Sequence, residues 1–399
     1  MPDLDLSIDA NLAIARLMRF LAIEGTTGNE EAIGRDVVKT LVEAGVPRKA
    51  LHFDKANEKI PLPTQIGNLI VTLPGTKPGP RRLFMTHLDT VPLCAGAVPV
   101  HKGNKIVPAG HTALGGDNRT GVGALVTMLS TLMERKLPHG PLTALFTVRE
   151  ESGLWGARFA DKAELGDPIM GFNVDGTSAT TITIGAVGAE RWHAAITGKA
   201  SHAGVHPERG VSATLVASIA LAEVHKKGWF GKVVKNGKAG SSNVGSIGDA
   251  NGKSAGEATN VVTDFALIRG EARSHDAKFT REIVTAFRDA FKNAAKTVTD
   301  HKGKGAKVKF ESRLDYYPFR MRPDLPVVQT AVNGVKACGW EAELRISNGG
   351  LDANWLVKNG VPTITFGAGE NNVHTVDEFV DVSQYLGGCQ LALMLAVQT

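Results

Sequence analysis

A chain of 399 residues with 43% hydrophobic and 21% charged side chains is long enough for two domains and too apolar to stay disordered. Three scattered cysteines, Cys94, Cys338 and Cys389, exclude a disulfide framework and a cysteine-type metal site. The net charge of +5 admits a polyanion partner, but the lysine clusters HKKGWFGKVVKNGK and DHKGKGAKVK carry no nucleic-acid motif and read as solvated faces.

The first residues, MPDLDLSIDANLAIARLMRFLAIEG, spread Arg16, Arg19 and Glu24 through their apolar positions. That is the pattern of an amphipathic helix and not of a signal peptide. No run approaches the roughly eighteen apolar residues of a membrane helix, so a cytoplasmic protein with no membrane partner is expected. TTGNEEAIGRDVVKTLVEAG opens on capping-type residues, repeats Ile33, Val37, Val38, Leu41 and Val42, and ends at Gly45. It predicts a helix with one buried face. The β-type runs GNLIVTLPG, RRLFMTHLD and LTALFTVRE then alternate with helical stretches such as TGVGALVTMLSTLMERK. Such alternation predicts an α/β domain around a largely parallel sheet.

After about residue 186 the texture changes. AERWHAAITGKASHAG reads as an exposed antiparallel strand and GVSATLVASIALAEVHKK as a helix. NVGSIGDAN and TNVVTDFALIRGEARS form a second β-rich pair, followed by a helix with Ile283, Val284, Phe287, Phe291 and Ala294 on one side. Two strand and helix units of this kind predict a small α+β domain. From about residue 319 the α/β texture returns, with VPTITFGAG as a buried strand. The expected organisation is residues 1–186 and 319–399 as one domain, with 187–318 inserted into it. There is no solenoid repeat and no low-complexity tract.

Chemistry-bearing residues recur after the β-type runs. LFTVREESGLWGARF ends an apolar run on Glu150 and Glu151, at the strand end where open α/β sheets present their ligands. Two ionised neighbours repel unless a cation holds one of them. FMTHLDTVP sets His87 and Asp89 two apart, and on a strand such residues face the same way, so the acid can stand behind the imidazole. LGGDNRTGVGALV puts Asp117 in a glycine-bounded loop, GFNVDGTS puts Asp175 after a short apolar run, and NNVHTVDEFVDV supplies His374. Singly, each has an ordinary role: a core histidine, a helix N-cap, a turn aspartate. Together they call for a divalent cation, and mixed imidazole and carboxylate ligands suit zinc, manganese or cobalt.

The ordered series HLD, GGDNRTG, REESGLWGA, NVDG, SHAGVHPERGVSA, TNVVTDFALIRGEARS, NGGLDAN and HTVDEF resembles the M20 family of dinuclear metallopeptidases, nearest its peptidase T-like branch. The resemblance runs from about residue 67 to 382. It implies a catalytic α/β domain, its mixed and largely parallel sheet flanked by helices, with an inserted ferredoxin-like α+β domain that serves as lid and dimerisation element. It implies two divalent ions per subunit, zinc foremost. Asp117 would bridge them, His87 and Asp175 would complete one site, and Glu151 and His374 the other.

In the same resemblance Glu150 is the general base towards a metal-bridging water, and Asp89 is the partner of His87. His202, in SHAG, resembles the lid histidine that reaches the partner subunit's site and donates to the developing oxyanion, which implies a homodimer. Asn260 and Arg273 match substrate contacts of the lid, the arginine fork suiting a carboxylate. His206 reads as an exposed helix-start histidine. Two features depart from the pattern. Leu351 stands where the branch often has threonine, and NRT after Asp117 is a formal glycosylation triplet, discounted because it lies in the metal loop.

The expected activity is that of a two-metal exopeptidase on short peptides. Aspartate at position 175 resembles the aminopeptidases and dipeptidases of the family, whereas its carboxypeptidases and several deacylases tend to have glutamate there. A tripeptide aminopeptidase is therefore expected. The alternative within the fold is an N-acyl-amino-acid amidohydrolase, a deacylase or a carboxypeptidase. A remote alternative of another class is a non-catalytic polyanion-binding protein.

Overall fold

The computed structural model describes residues 5–249, 251, 255–256 and 258–398. The backbone forms two compact units, Met1–Ala186 with Phe319–Thr399, and Val187–Pro318.

The larger unit is built on a nine-stranded mixed sheet. At its centre Leu142–Thr147, Arg82–His87, Met170–Val174 and Thr363–Phe366 lie side by side and parallel. Leu69–Leu73 and Leu51–Phe53 extend it antiparallel on one side. Thr181–Ala186 continues it on the other side, paired antiparallel with Thr363–Phe366 and Phe319–Arg320 and parallel with Glu343–Ser347. The central strands show unbroken burial, not alternation, because helices cover both faces of such a sheet.

The helices Ala10–Leu21, Gly116–Glu134 and Val382–Val397 pack together in the core of this unit. Leu17, Phe20, Val122, Leu125, Leu129, Leu391 and Leu395 lose essentially all their solvent contact there. The helix Glu31–Glu43 buries Ile33, Val37 and Leu41, while Val42 stays 39% exposed at the edge of the stripe. No side-chain cap forms at its start: Glu30 holds the N-cap position and turns its carboxyl elsewhere. A small antiparallel sheet of Glu370–Asn371, Phe379–Asp381, Lys105–Pro108 and Pro99–Lys102 has no counterpart in the sequence reading, since strands this short carry too few residues for a period to show.

The smaller unit is a five-stranded antiparallel sheet in the order Gly231–Lys235, Lys238–Gly248, Phe265–Ser274, Gly188–Thr197, Lys307–Tyr316. The helices Ala213–Lys226 and Ala277–Thr297 close its core. Ile283, Val284, Phe287, Phe291 and Ala294 are all buried, as their spacing predicts. Gly188–Thr197, expected to be exposed, is a central strand with Phe265–Ser274 and Lys307–Tyr316 on either side. Its alternate residues Trp192, Ala194 and Ile196 are buried, and only Arg191, His193 and their neighbours give it a polar look. Among the described residues no helix is long and apolar enough to cross a membrane.

Candidate metal centre

The parallel strands at the sheet centre end on the same edge, and the chain leaving each one carries an acid or a histidine. His87 is the last residue of Arg82–His87. Leu142–Thr147 leads into the turn bearing Glu150 and Glu151, Met170–Val174 into Asp175, and Thr363–Phe366 into the segment that reaches His374. This is the carboxyl edge at which open α/β sheets hold their ligands. Asp117 enters from the start of Gly116–Glu134. Gly115 turns the chain with φ +82, which glycine tolerates, and Asp117 itself is non-helical and followed by a cis peptide bond to Asn118. The regular helix begins after Asn118, whose Oδ1 accepts the N–H of Gly121 at 2.8 Å, so the cap is Asn118 and not Asp117, as the sequence context would allow.

Asp117 stands between two histidines. Its Oδ1 lies 3.0 Å from His87 Nε2, and its Oδ2 lies 3.2 Å from His374 Nε2. Asp175 Oδ1 is 4.0 Å from the same His87 nitrogen. Both oxygens of Glu151 are 3.0 Å from His374 Nε2. Donor atoms of His87, Asp117 and Asp175 form one group within 4.8 Å of one another, and those of Asp117, Glu151 and His374 form a second. Asp117 belongs to both.

Asp89 does its work from outside the strand. The strand stops at His87, so Asp89 is not its same-face neighbour. His87 Nδ1 lies 3.0 Å from the Asp89 carbonyl and 3.4 Å from its carboxylate. A carbonyl only accepts, so Nδ1 carries a proton and Nε2 is the nitrogen turned to the acids. The Asp89 carboxylate accepts the N–H of Glu150 at 3.0 Å and that of Glu151 at 3.2 Å.

Crowded acids in low dielectric hold protons tightly. Burial, and then the charge of Asp117, pushes Asp175 up to about 8 and Glu151 up to about 7. Burial raises Glu150 well above the ordinary range, with His87 opposing and Glu151, Asp175 and Asp352 adding. Burial would raise Asp117 too, but hydrogen bonds from His374 and His87 outweigh it and hold it below the usual carboxylate range. Hydrogen bonds to Asp117 and Glu151 push His374 up to about 10. Burial works against protonation of His87, yet its bonds to Asp117 and Asp89 raise it well above the normal value. A convergent set of carboxylates and imidazoles with this excess of negative charge fits divalent cations, and the absence of thiolate suits zinc, manganese or cobalt.

The profile of the peptidase family M20/M25/M40 matches residues 83–398. The chain belongs to this peptidase family. It is 31% identical over 330 residues to YqjE of Bacillus subtilis strain 168, described as uncharacterized, covering 82% of this chain and 84% of that one. Among solved structures it is similar to the aminopeptidase PepT of Bacillus cereus, at TM-score 0.81 and 29% identity over 98% of both chains. It is likewise similar to a tripeptidase of Staphylococcus aureus, at TM-score 0.85 and 27% identity over 98% of both chains.

This M20 peptidase supports the Asp117 loop with further buried acids to which the sequence reading gave no role. Glu378 accepts the N–H groups of Leu114, Gly115 and Asp117 at 2.8, 2.9 and 3.1 Å. Asp352 accepts the hydroxyl of Thr147, and burial pushes it up to about 6. Glu370 is raised well above the normal range by burial and by the charges of Asp117 and Asp175. Glu378 and Asp352 sit inside HTVDEF and NGGLDAN, and Glu370 follows a buried strand as Asp175 does, so each had the same signal as the residues chosen. Arg119 is buried and gives its guanidinium to the carbonyls of Phe20, Leu88, Ile23 and Gly25.

His202, Asn260 and Arg273 belong to the smaller unit. His202 Nδ1 accepts the N–H groups of Gly204 and Val205, each at 3.2 Å. In the neutral ring that acceptor role leaves the proton on Nε2. The N–H of Ala203 donates to the Asn260 carbonyl at 2.9 Å, which places Asn260 beside the histidine loop. Arg273 directs its fork at Glu271, with contacts of 2.8 and 3.1 Å. A substrate carboxylate at Arg273 would have to compete with that partner.

Proposed function

We propose that the chain is a two-metal exopeptidase that removes the amino-terminal residue of short peptides, tripeptides foremost, and acts in the cytoplasm as a homodimer formed through the inserted unit. The observation that carries this reading is Asp117, one carboxylate shared between two groups of candidate ligands with Glu150 on the adjoining turn. Its likeness to an aminopeptidase and a tripeptidase along nearly the whole chain and the aspartate at position 175 support the choice of substrate end.

In this proposal His87, Asp117 and Asp175 would hold one divalent ion and Asp117, Glu151 and His374 the other. Bound divalent ions would acidify a water and polarise the scissile carbonyl. Glu150 takes a proton from the attacking water and returns it to the leaving amine, a role that suits a carboxylate on the turn next to the ligand Glu151. His87 keeps its Nδ1 proton on the Asp89 carbonyl and so presents Nε2 as the ligand atom. His202 of the partner subunit offers the proton on Nε2 to the developing oxyanion. Arg273, released from Glu271, and Asn260 receive the far end of the peptide. A cavity of about 290 Å³ beside Asp175, lined by Thr177, Ser178, Thr183 and Arg345 among others, gives room for a single residue of a small substrate.

The test is mass-spectrometric product analysis of one tripeptide, free and N-acetylated, with and without chelator. Chelator-sensitive release of the first residue from the free peptide alone is the expected result. Cleavage of the acetylated form would reassign the protein to the deacylases or carboxypeptidases of the fold. No cleavage of either form would end the peptide reading.

A further inference from the structure

The residue just before the glutamate pair is held by an acid that the mechanism above does not use. Glu30 is fully buried. Its Oε1 accepts the N–H of Gly28 at 2.7 Å and that of Arg149 at 3.1 Å, and its Oε2 has no partner. Asp89 takes the next two amides, those of Glu150 and Glu151. Three successive N–H groups, at residues 149, 150 and 151, thus end on two buried carboxylates from distant parts of the chain.

Arg149 needs holding. It lies at φ +54, a left-handed conformation that costs a residue with a side chain. Its guanidinium is pinned by the Pro63 carbonyl, by Thr64 Oγ1 at 2.7 Å and by Ser152 Oγ at 3.3 Å. The Glu30 segment wraps closely around it. At Gly28, with φ +94, an added Cβ would stand 2.2 Å from the Arg149 guanidinium. The Thr27 hydroxyl donates to Ser152 Oγ at 3.0 Å, and the Thr27 N–H donates to Thr90 O at 2.9 Å, next to Asp89.

Helix capping does not explain Glu30, for the helix that follows receives no side-chain bond from it. A buried carboxyl with one oxygen unsatisfied is a net cost to folding, and that cost is tolerated where an element must be held in place.

We propose that Glu30 is a positioning residue for Glu150 and Glu151, fixing the strained Arg149 from which the strand turns into the glutamate pair. The proposal rests on the reading of Glu150 as base and Glu151 as ligand. Both N–H groups end on one oxygen, Oε1, so glutamine, with the same length and one acceptor oxygen, keeps the contacts that matter here.

The experiment compares Glu30→Met, which keeps length without a good acceptor, with Glu30→Gln, which keeps the acceptor. Amide hydrogen exchange across residues 148–152 is read in the metal-free protein, and kcat and KM are read at saturating metal. Glu30→Met is expected to speed exchange in that segment by about tenfold or more and to lower kcat by about tenfold or more, with KM within about twofold. Glu30→Gln is expected to stay within about threefold of the parent in both readings. Unchanged exchange in Glu30→Met, or equal damage from Glu30→Gln, overturns the proposal. Should the methionine variant not fold, Glu30→Asp withdraws the acceptor on a shorter arm, and the same readings apply. If the parent protein cleaves no peptide, the exchange arm still decides the positioning role while the peptidase mechanism falls separately.

Discussion

Asp89 Oδ1 accepts the backbone N–H of Glu150 at 3.0 Å, which ties the candidate base to the loop that follows the His87 strand. Asp89→Ala would leave the N–H groups of Glu150 and Glu151 without their acceptor. The expected loss is about 1–3 kcal/mol of unfolding free energy, read from urea denaturation of the metal-free protein. Asp89→Asn keeps one acceptor oxygen and should lose less. A neutral effect of the alanine variant would mean that the turn finds other partners.

Glu150→Gln removes the base and leaves every candidate ligand. Metal content should stay at the parent level while kcat falls on the order of 10² to 10⁴-fold. Elemental analysis beside steady-state kinetics checks this, and metal loss in that variant would show that Glu150 is a ligand.

The acids of the centre also set how stability depends on pH when metal is removed. Asp175 at about 8 and Glu151 at about 7 lie above unfolded values of about 3.9 and 4.3. From about pH 5 to 8 the folded chain therefore binds more protons than the unfolded one, and stability falls as pH rises. His374, raised to about 10 from about 6.5, acts in the same direction between those two values. Asp117, held low, opposes them only below its unfolded pKa of about 3.9. The thermal midpoint of chelated protein should thus drop between about pH 5 and 8, and metal uptake should release protons that an indicator dye can count. A midpoint that rises over this range would contradict the burial of these acids.

Much of the centre was legible because strand ends can be read. The apolar runs before His87, Glu150 and Asp175 announce strands, and a polar residue after a buried strand of an α/β sheet stands at its ligand edge. Asp89 stands behind the imidazole as expected, its carboxylate 3.4 Å from His87 Nδ1, but not by a shared strand face: the strand ends before it, and the same carboxylate also accepts two amides. Glu30 looked like part of a helix start, because a cap and an inward-turned acid share one sequence context. Gly188–Thr197 was misread as exposed since its open face carries Arg191 and His193. Pairing on both sides is a tertiary fact that alternation alone does not encode.

His202→Ala should lower turnover and leave the metal centre loaded, since its ring lies in the other unit. Mixing His202→Ala with Glu150→Gln subunits should restore activity if the histidine serves the partner's site. With heterodimers demonstrated by mass spectrometry, the absence of recovery would refute the shared site.

Whether Asp117 joins two ion sites is read directly by anomalous diffraction from crystals loaded with zinc. Two anomalous peaks per chain are expected, one beside each oxygen of Asp117, with His87 and Asp175 around one and Glu151 and His374 around the other. A single peak, or a pair of peaks that leaves Asp117 uncoordinated, would contradict that arrangement.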